Sequence, residues 1–343
     1  MTEKENYLRM LRGEIPEWVP QYTFGKMPGS DYNPANVMLE PDLLIQHRKN
    51  KGGKDIWGVN YVATYETGEA LIPEPNNFIL DDITKWRDVI KAPDISGIDW
   101  EAMVKKDIED SRIDRTQSAM ALNLHFGYFQ NIVSYMGFEG AMMAMAEDPE
   151  EVHALLDYIA DFYIEVAKNT IDLYNPDICT FMDDTAAWGS PFISPGMYRE
   201  FLLPRHKRWA DMAAERGKLM TMHNCGKCES IIDQLVEIGI NMWEPAQTCN
   251  DLVAVKKKYD GKDGRKRLAI GGGWDGRGRL LEPDVTDEEL IASVHATIDS
   301  LAPDGGFAWC GGFLGAIDDK EVLRKNMVVM GEVTRYGHEF YKK

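Results

Sequence analysis

The chain has 343 residues, 44% hydrophobic and 27% charged, the proportions of a folded globular protein and not of a disordered, collagenous or low-complexity one. Its 38 Lys and Arg face 56 Asp and Glu, a formal charge of −18, and the densest basic run, 256–267, is interrupted and flanked by acids, so nucleic acid and anionic membrane are not expected partners. No apolar stretch reaches the ~18 residues of a membrane span, the first twenty residues lack the apolar core of a secretion signal, and five cysteines suit reduced thiols in a cytoplasm better than a disulfide framework.

Runs of strand-forming residues follow in chain order at 19–24, 56–62, 120–125, 177–183, Leu219–His223, 241–244, 268–271 and Phe307–Cys310. Most are too apolar to alternate, as strands covered on both faces are. The segments between them read as helices with marked ends. Asp148 caps one with Pro149 at its first position, and Val152, Leu155, Leu156, Ile159, Phe162, Tyr163 and Val166 form its apolar stripe. Ser194 and Pro195 repeat the start signal ahead of Tyr198, Phe201 and Leu202. Ile231, Ile232, Leu235 and Val236 give a further stripe, stopped by Gly239. Thr286 and Glu289 make a capping box before Leu290, Ile291, Val294 and Ile298. A last helix carries Val322, Leu323, Met327, Val328 and Val333 and stops near Gly337. Eight strands separated by helices predict a single (β/α)8 TIM barrel, α/β in class, spanning 1–343 as one domain. The surplus over ~250 residues falls at about 64–117, a lid-like insertion after the second strand with an amphipathic piece at 83–90. A doubly wound sheet is the alternative.

Barrel sites lie at the C-terminal ends of the strands. The polar residues found there are His125, Asp183 and Asp184, His223, Glu244, Asp275 a little after the seventh strand, and Cys310. Cys225 follows two positions beyond His223. An imidazole and a thiolate at that spacing, with Cys310 from across the mouth, form a ligand set for catalytic Zn²⁺, and Glu244 is a candidate fourth ligand. The plain alternative makes His223 and Cys225 buried core residues. Cys225-Gly-Lys-Cys228 is also a CxxC pair, the pattern of a thiol redox site, but it follows a mid-chain strand, so Cys228 is expected to start the next helix and stays an alternative metal ligand. Gly271-Gly-Gly-Trp-Asp-Gly276 matches a dinucleotide fingerprint in letters only, being late in the chain and followed by Arg-Gly where a helix should open. Asp183 or Asp184 could orient a substrate or position a proton. Tyr22, Phe24, Met182, Trp188, Met222, Trp243, Trp274 and Trp309 suggest an apolar cleft, and glycines such as Gly272 would let a bulky ligand approach the backbone.

The block FMDDTAAWGSPFISPGMYREFLLPRHKRWADMAAERGKLMTMHNCG resembles the uroporphyrinogen decarboxylase superfamily. The opening NYLRMLRGEIPEWVP, the LAIGGGWD turn and the ending GAIDDKEVLRKNM fit the same pattern. The resemblance implies a (β/α)8 barrel. Its decarboxylase branch carries an Arg-rich segment after the first strand, whereas this chain has YTFGKMPGSDY there, without the guanidinium groups that hold substrate carboxylates. Its corrinoid-dependent methyltransferase branch carries zinc on an HxC pair and a distant Cys, positions that His223, Cys225 and Cys310 match, with Glu244 a weaker fourth. IPEPNNFILDDITKWRDVIKAPD and INMWEPAQ resemble the anaerobic O-demethylase methyltransferases. That likeness implies transfer of methyl from an aryl methyl ether, a methoxylated aromatic of veratrol or vanillate type, to the cob(I)alamin of a small corrinoid protein. Asp183 or His125 would then orient substrate or handle the proton, and Asp184, Trp188, Trp274, Asp275 and Gly272 would face substrate or corrinoid. A coenzyme M methyltransferase is the nearest rival, and a uroporphyrinogen decarboxylase is less favoured. Self-association into a homodimer is left open.

Overall fold

The computed structural model describes residues 1–23, 33–63, 70–125, 127–264, 266–315 and 319–342. Its strands are β1 (Asn36–Leu39), β2 (Gly53–Lys54), β3 (Asn60–Ala63), β4 (Leu71–Pro73), β5 (Ala119–Asn123), β6 (Ile178–Met182), β7 (Leu219–His223), β8 (Met242–Ala246), β9 (Ala269–Gly273) and β10 (Phe307–Cys310). Seven of them form one curled sheet in the order β1-β5-β6-β7-β8-β9-β10, every pair parallel. An eighth segment, 19–23, lies between β10 and β1. The Tyr22 amide donates to the Trp309 carbonyl and the Trp309 amide to that of Pro20, each at 2.8 Å. On its other edge the Asn36 side-chain amide donates to the Thr23 carbonyl at 2.7 Å. Pro20 has no N–H to give, so this edge is joined by a few bonds and not by a regular ladder.

The barrel agrees with the sequence reading, but its second strand does not. The run at 56–62 supplies β3, the middle strand of a separate antiparallel sheet β2-β3-β4. The second barrel position belongs to β1, four residues behind a polar stretch, too short to stand out as a pattern. The insertion therefore starts soon after β1, near residue 41, earlier than expected. Phe24, most of the segment lacking arginine, residues 64–69 of the expected lid and part of the GAIDDKE motif lie outside the described residues.

Alternation along the strands separates two apolar layers. Met120, Leu122, Cys179, Phe181, Met220, Met222, Trp243, Ile270 and Trp309 face the helices. Ala119, Ala121, Ile178, Met242, Ala269 and Ala308 face the barrel axis together with Tyr22. Small residues dominate that inner set because the helix Glu3–Leu11 inserts Tyr7, Leu8, Met10 and Leu11 into the barrel's N-terminal end. The Tyr7 hydroxyl reaches the Met242 sulfur at 3.8 Å, and the Lys4 amide donates to the Gln117 carbonyl at 2.9 Å. By the same parity His223, Glu244 and Cys310 turn toward the axis at the opposite, open end.

The expected helix starts hold with two departures. The capping box at Thr286 is formed and Pro149 opens the helix Pro149–Tyr174, but Asp148 makes no side-chain cap. The helix begun at Pro195 widens into a π turn over Tyr198–Leu202, because Pro204, at the start of the next helix Leu203–Glu215, cannot donate to the turn before it. The insertion is seated on the helix Tyr128–Glu147, which breaks at Gly137. There the amides of Ile79 and Leu80 both donate to the Tyr135 carbonyl at 3.0 Å. Among the described residues no helix is long and apolar enough to cross a membrane.

Candidate metal centre and its adjoining cavity

The turn His223-Asn-Cys225-Gly is held by its middle residue. The Asn224 Oδ1 accepts from the Thr185 amide at 3.0 Å, its Nδ2 donates to the Thr185 hydroxyl at 2.9 Å, and its carbonyl accepts from the Trp243 indole at 2.9 Å. Gly226 has φ +88°, and a Cβ there would stand 2.5 Å from the Ala186 carbonyl oxygen. A glycine is therefore required for the turn to press against the loop after β6. This packing brings Asp184 over the pair. Its Oδ1 accepts from the Cys225 amide at 2.7 Å and lies 3.9 Å from His223 Nε2. The Cys225 sulfur is 3.5 Å from the same Nε2. One ligand atom each from Asp184, His223 and Cys225 lies within 4.8 Å of the others.

Behind the imidazole, His223 Nδ1 meets Glu244 Oε2 at 3.0 Å, and the Tyr22 hydroxyl donates to Glu244 Oε1 at 2.9 Å. Glu244 is fully buried, so its two oxygens are spent on these partners. An Nδ1–H given to Glu244 leaves the Nε2 lone pair facing Cys225 and Asp184, the carboxylate–histidine pattern that orients a metal ligand. Burial disfavours protonation of His223, yet the Glu244 carboxylate and the Cys225 thiol outweigh it and raise its pKa well above the usual value, so an ion taking the Nε2 lone pair would displace a proton from it. Burial also raises the thiols of Cys225 and Cys310, the former against the pull of His223 and the latter with help from Glu244 and Cys225. A cation bound in such a nest of carboxylates and thiols would balance their charge and draw the thiols into the thiolate form. Imidazole, thiolate and carboxylate are zinc's ligand types, so the residues fit the ion.

The sequence-derived candidates part company here. Cys310 packs against the inner layer and interacts electrostatically with Glu244 and Cys225, but it is outside the three-residue group. Glu244 backs the histidine, and Asp184, expected to face substrate or corrinoid, enters the group. Asp183 is turned inward and fully buried. Its carboxylate accepts from the amides of Phe129 and Gln130 at 3.1 and 3.2 Å, capping the helix Tyr128–Glu147, and lies 3.5 Å from His206 Nε2. Trp274 is a core residue, edge-on to Phe313 and bonded through its indole to Ser293 at 3.0 Å. Gly272 has φ +137° at the register shift between β8 and β9, where a Cβ would stand 2.7 Å from the Ala246 nitrogen, so strand packing accounts for it. Trp188 lies beneath the Arg277 guanidinium at 3.6 Å, and Asp275 accepts from the Thr248 hydroxyl at 3.1 Å. Asn224, which holds the turn, carries no ligand signal in its spacing.

Cys228 is buried, and its thiol lies 2.9 Å from the Cys225 carbonyl and 3.1 Å from Asn224 Oδ1. A hydroxyl makes the same bonds, so Cys228→Ser is expected to keep bound zinc and most turnover, whereas Cys225→Ser loses both. Metal analysis and turnover of the two variants check this; the reverse pattern would move the ligand to Cys228.

A cavity of about 470 Å³ opens beside Asp184, between the insertion and the helix Tyr128–Glu147, within the ~300–1,000 Å³ of small-molecule sites. Leu44, Ile56, Trp57, Phe129, Phe138 and Phe192 give it an apolar wall. Gln130 links it to the metal centre, its side-chain amide donating to Asp184 Oδ2 at 3.2 Å. His125 lines it with its ring paired to Glu40. Leu71, Ile72 and Pro73 of the insertion also line it.

Comparison with known proteins bears on the family and the fold. A stretch of 121 residues is 29% identical to the methylated-thiol–coenzyme M methyltransferase of Methanosarcina mazei, covering 34% of this chain and 31% of that protein. The chain thus matches about a third of that relative's length. A solved methyltransferase from Methanosarcina mazei superposes over 98% of this chain and 99% of its own, with a TM-score of 0.60 at 12% identity, a likeness of fold. The sequence profile of uroporphyrinogen decarboxylase (URO-D) matches residues 126–307, which contain β6 to β9 and the whole Asp184–His223–Cys225 group, and with more than half its length so matched the chain belongs to the uroporphyrinogen decarboxylase family.

Proposed function

We propose that this protein is a zinc-dependent methyltransferase that removes the methyl group of an aryl methyl ether and passes it to the cob(I)alamin of a small corrinoid protein. The observation that supports the reading is the apolar cavity sharing Asp184 with the His223–Cys225 pair, since a flat hydrophobic substrate in it would lie beside the candidate Lewis-acid site. The chemical obstacle is the leaving group: the C–O bond breaks and a Co–C bond forms, and the phenolate oxygen departs with the electron pair. Bound by His223, Cys225 and Asp184, with Cys310 as a further thiol donor, zinc would supply the positive charge that eases this departure. Glu244 fixes the imidazole and Tyr22 fixes Glu244, so the site is oriented before substrate arrives. The walls of Phe129, Phe138 and Phe192 seat the ring and keep water away.

A second reading is favoured by the likeness to the coenzyme M enzyme. In it the same site activates a thiol acceptor. Incubation of zinc-loaded protein with cob(I)alamin and a panel of methoxyphenols separates the two. The demethylase reading expects methylcobalamin and the free phenol in equal amounts. No methylcobalamin from any member, with brisk demethylation of methylcobalamin by coenzyme M, would establish the second reading instead.

A further inference from the structure

The cavity's lining includes one Lys or Arg among the described residues, Arg48. No carboxylate lies within salt-bridge distance of its guanidinium among the described residues; its hydrogen-bond partner is His125 Nδ1, at 3.4 Å from Nη2. A guanidinium that makes no ion pair at an apolar cavity can receive an anion of planar geometry.

Arg48 is exposed, and its partner His125 is the group built into place. His125 sits in the left-handed region at φ +54°, a conformation that costs energy and needs support from its surroundings. The support is a network across two strand ends. The His125 amide donates to Asn123 Oδ1 at 3.0 Å, Asn123 Nδ2 donates to Glu40 Oε1 at 2.9 Å, and Glu40 also pairs with His125 Nε2. Nε2 faces Glu40 and Nδ1 faces Arg48, and the buried Glu40 carboxylate also feels the guanidinium's charge. The other carboxylates at the cavity are committed: Asp55 accepts from the amides of Trp57 and Val59 at 2.9 Å, and Asp184 belongs to the metal group. His47, which also lines the cavity and is 8% exposed, has an Nδ1 without a hydrogen-bond partner among the described residues.

We propose that Arg48, aimed by the Asn123–Glu40–His125 network, anchors a substrate carboxylate, so that the protein selects methoxybenzoates over uncharged methoxyarenes. The inference rests on the aryl ether reading and deepens it. Arg48 is a specificity residue, and His125 is a positioning residue and not the proton carrier.

The test is calorimetric binding of two ligands, 4-hydroxy-3-methoxybenzoate and 2-methoxyphenol, to the zinc-loaded full chain. The benzoate is expected to bind at least ~10-fold more tightly, as one charge-assisted pair allows. Arg48→Ala should weaken the benzoate by ~10- to 100-fold and the phenol far less, and Arg48→Lys should fall between because it lacks the two-pronged donor. Equal affinity of the two ligands, or equal weakening of both by Arg48→Ala, overturns the anchor. Turnover of the same ligands with cob(I)alamin separates this from the parent reading. Benzoate binding that depends on Arg48 without methyl transfer sustains the anchor and removes the demethylase; transfer from both ligands without Arg48 dependence does the opposite.

Discussion

Replacing His223 with alanine is expected to empty the metal centre and to lower turnover by at least ~10³-fold, a barrier increase of about 4 kcal/mol. The imidazole is the donor that joins the metal side of the site, Cys225 at 3.5 Å and Asp184 at 3.9 Å, to the buried Glu244–Tyr22 pair behind it. Its loss removes a ligand and leaves Glu244 buried without one of its two partners. If the metal acts on the departing oxygen, the loss falls on the transition state. The kcat should then drop far more than aromatic binding weakens, because the cavity walls are untouched. Zinc content by elemental analysis, calorimetric binding of a methoxyphenol and single-turnover kinetics measure the three quantities separately. A His223→Ala protein that keeps about one zinc per chain and near-normal turnover would displace the centre from this place in the fold.

The second large effect separates two adjacent carboxylates. Asp183→Ala is expected to destabilise the fold by ~3–5 kcal/mol, since it strips a buried group from the Phe129 and Gln130 amides and from His206. Asp184→Ala is expected to leave stability within ~1 kcal/mol of the parent, because its side chain is about one-third exposed. It should instead lower zinc affinity by at least ~10-fold, having removed a donor from the group. Chemical denaturation and zinc titration of the two variants read this out. A destabilised Asp184→Ala with normal zinc, beside a stable Asp183→Ala without it, would exchange the two roles. The physical basis is chain direction: at the end of β6 the first aspartate turns inward beneath a helix terminus, where its charge meets free amides, and the next one emerges at the mouth.

Much of the barrel was legible because its physical signals are local. Strands covered on both faces are continuously apolar, so β5, β6, β7, β9 and β10 announced themselves, and the capping box at Thr286 and the Pro149 start mark helix ends through short-range hydrogen bonding and fixed φ. The His223–Cys225 pair was readable for the same reason: two donors two positions apart at a strand end share one turn. The rest depended on residues distant in the chain. β1 is strand because it completes a ring between 19–23 and β5, and its own four residues carry too little pattern to say so. The apolar run at 56–62 left the barrel because pairing with β2 and β4 offered it another sheet. Nothing in the Asp183-Asp184 dipeptide says which carboxylate faces inward; that was decided when the helix Tyr128–Glu147 presented its free amides to one and the Cys225 turn its amide to the other. Glu244 became the histidine's support instead of an evident ligand because Tyr22, more than two hundred residues earlier, supplies its second hydrogen bond. The sequence by itself thus determined the barrel and the donor types of its candidate metal centre through signals within a few residues. The assignment of each polar group to candidate ligand, support or cap was made only by tertiary structure, since a buried polar atom takes its role from whichever partner folding brings within hydrogen-bond reach.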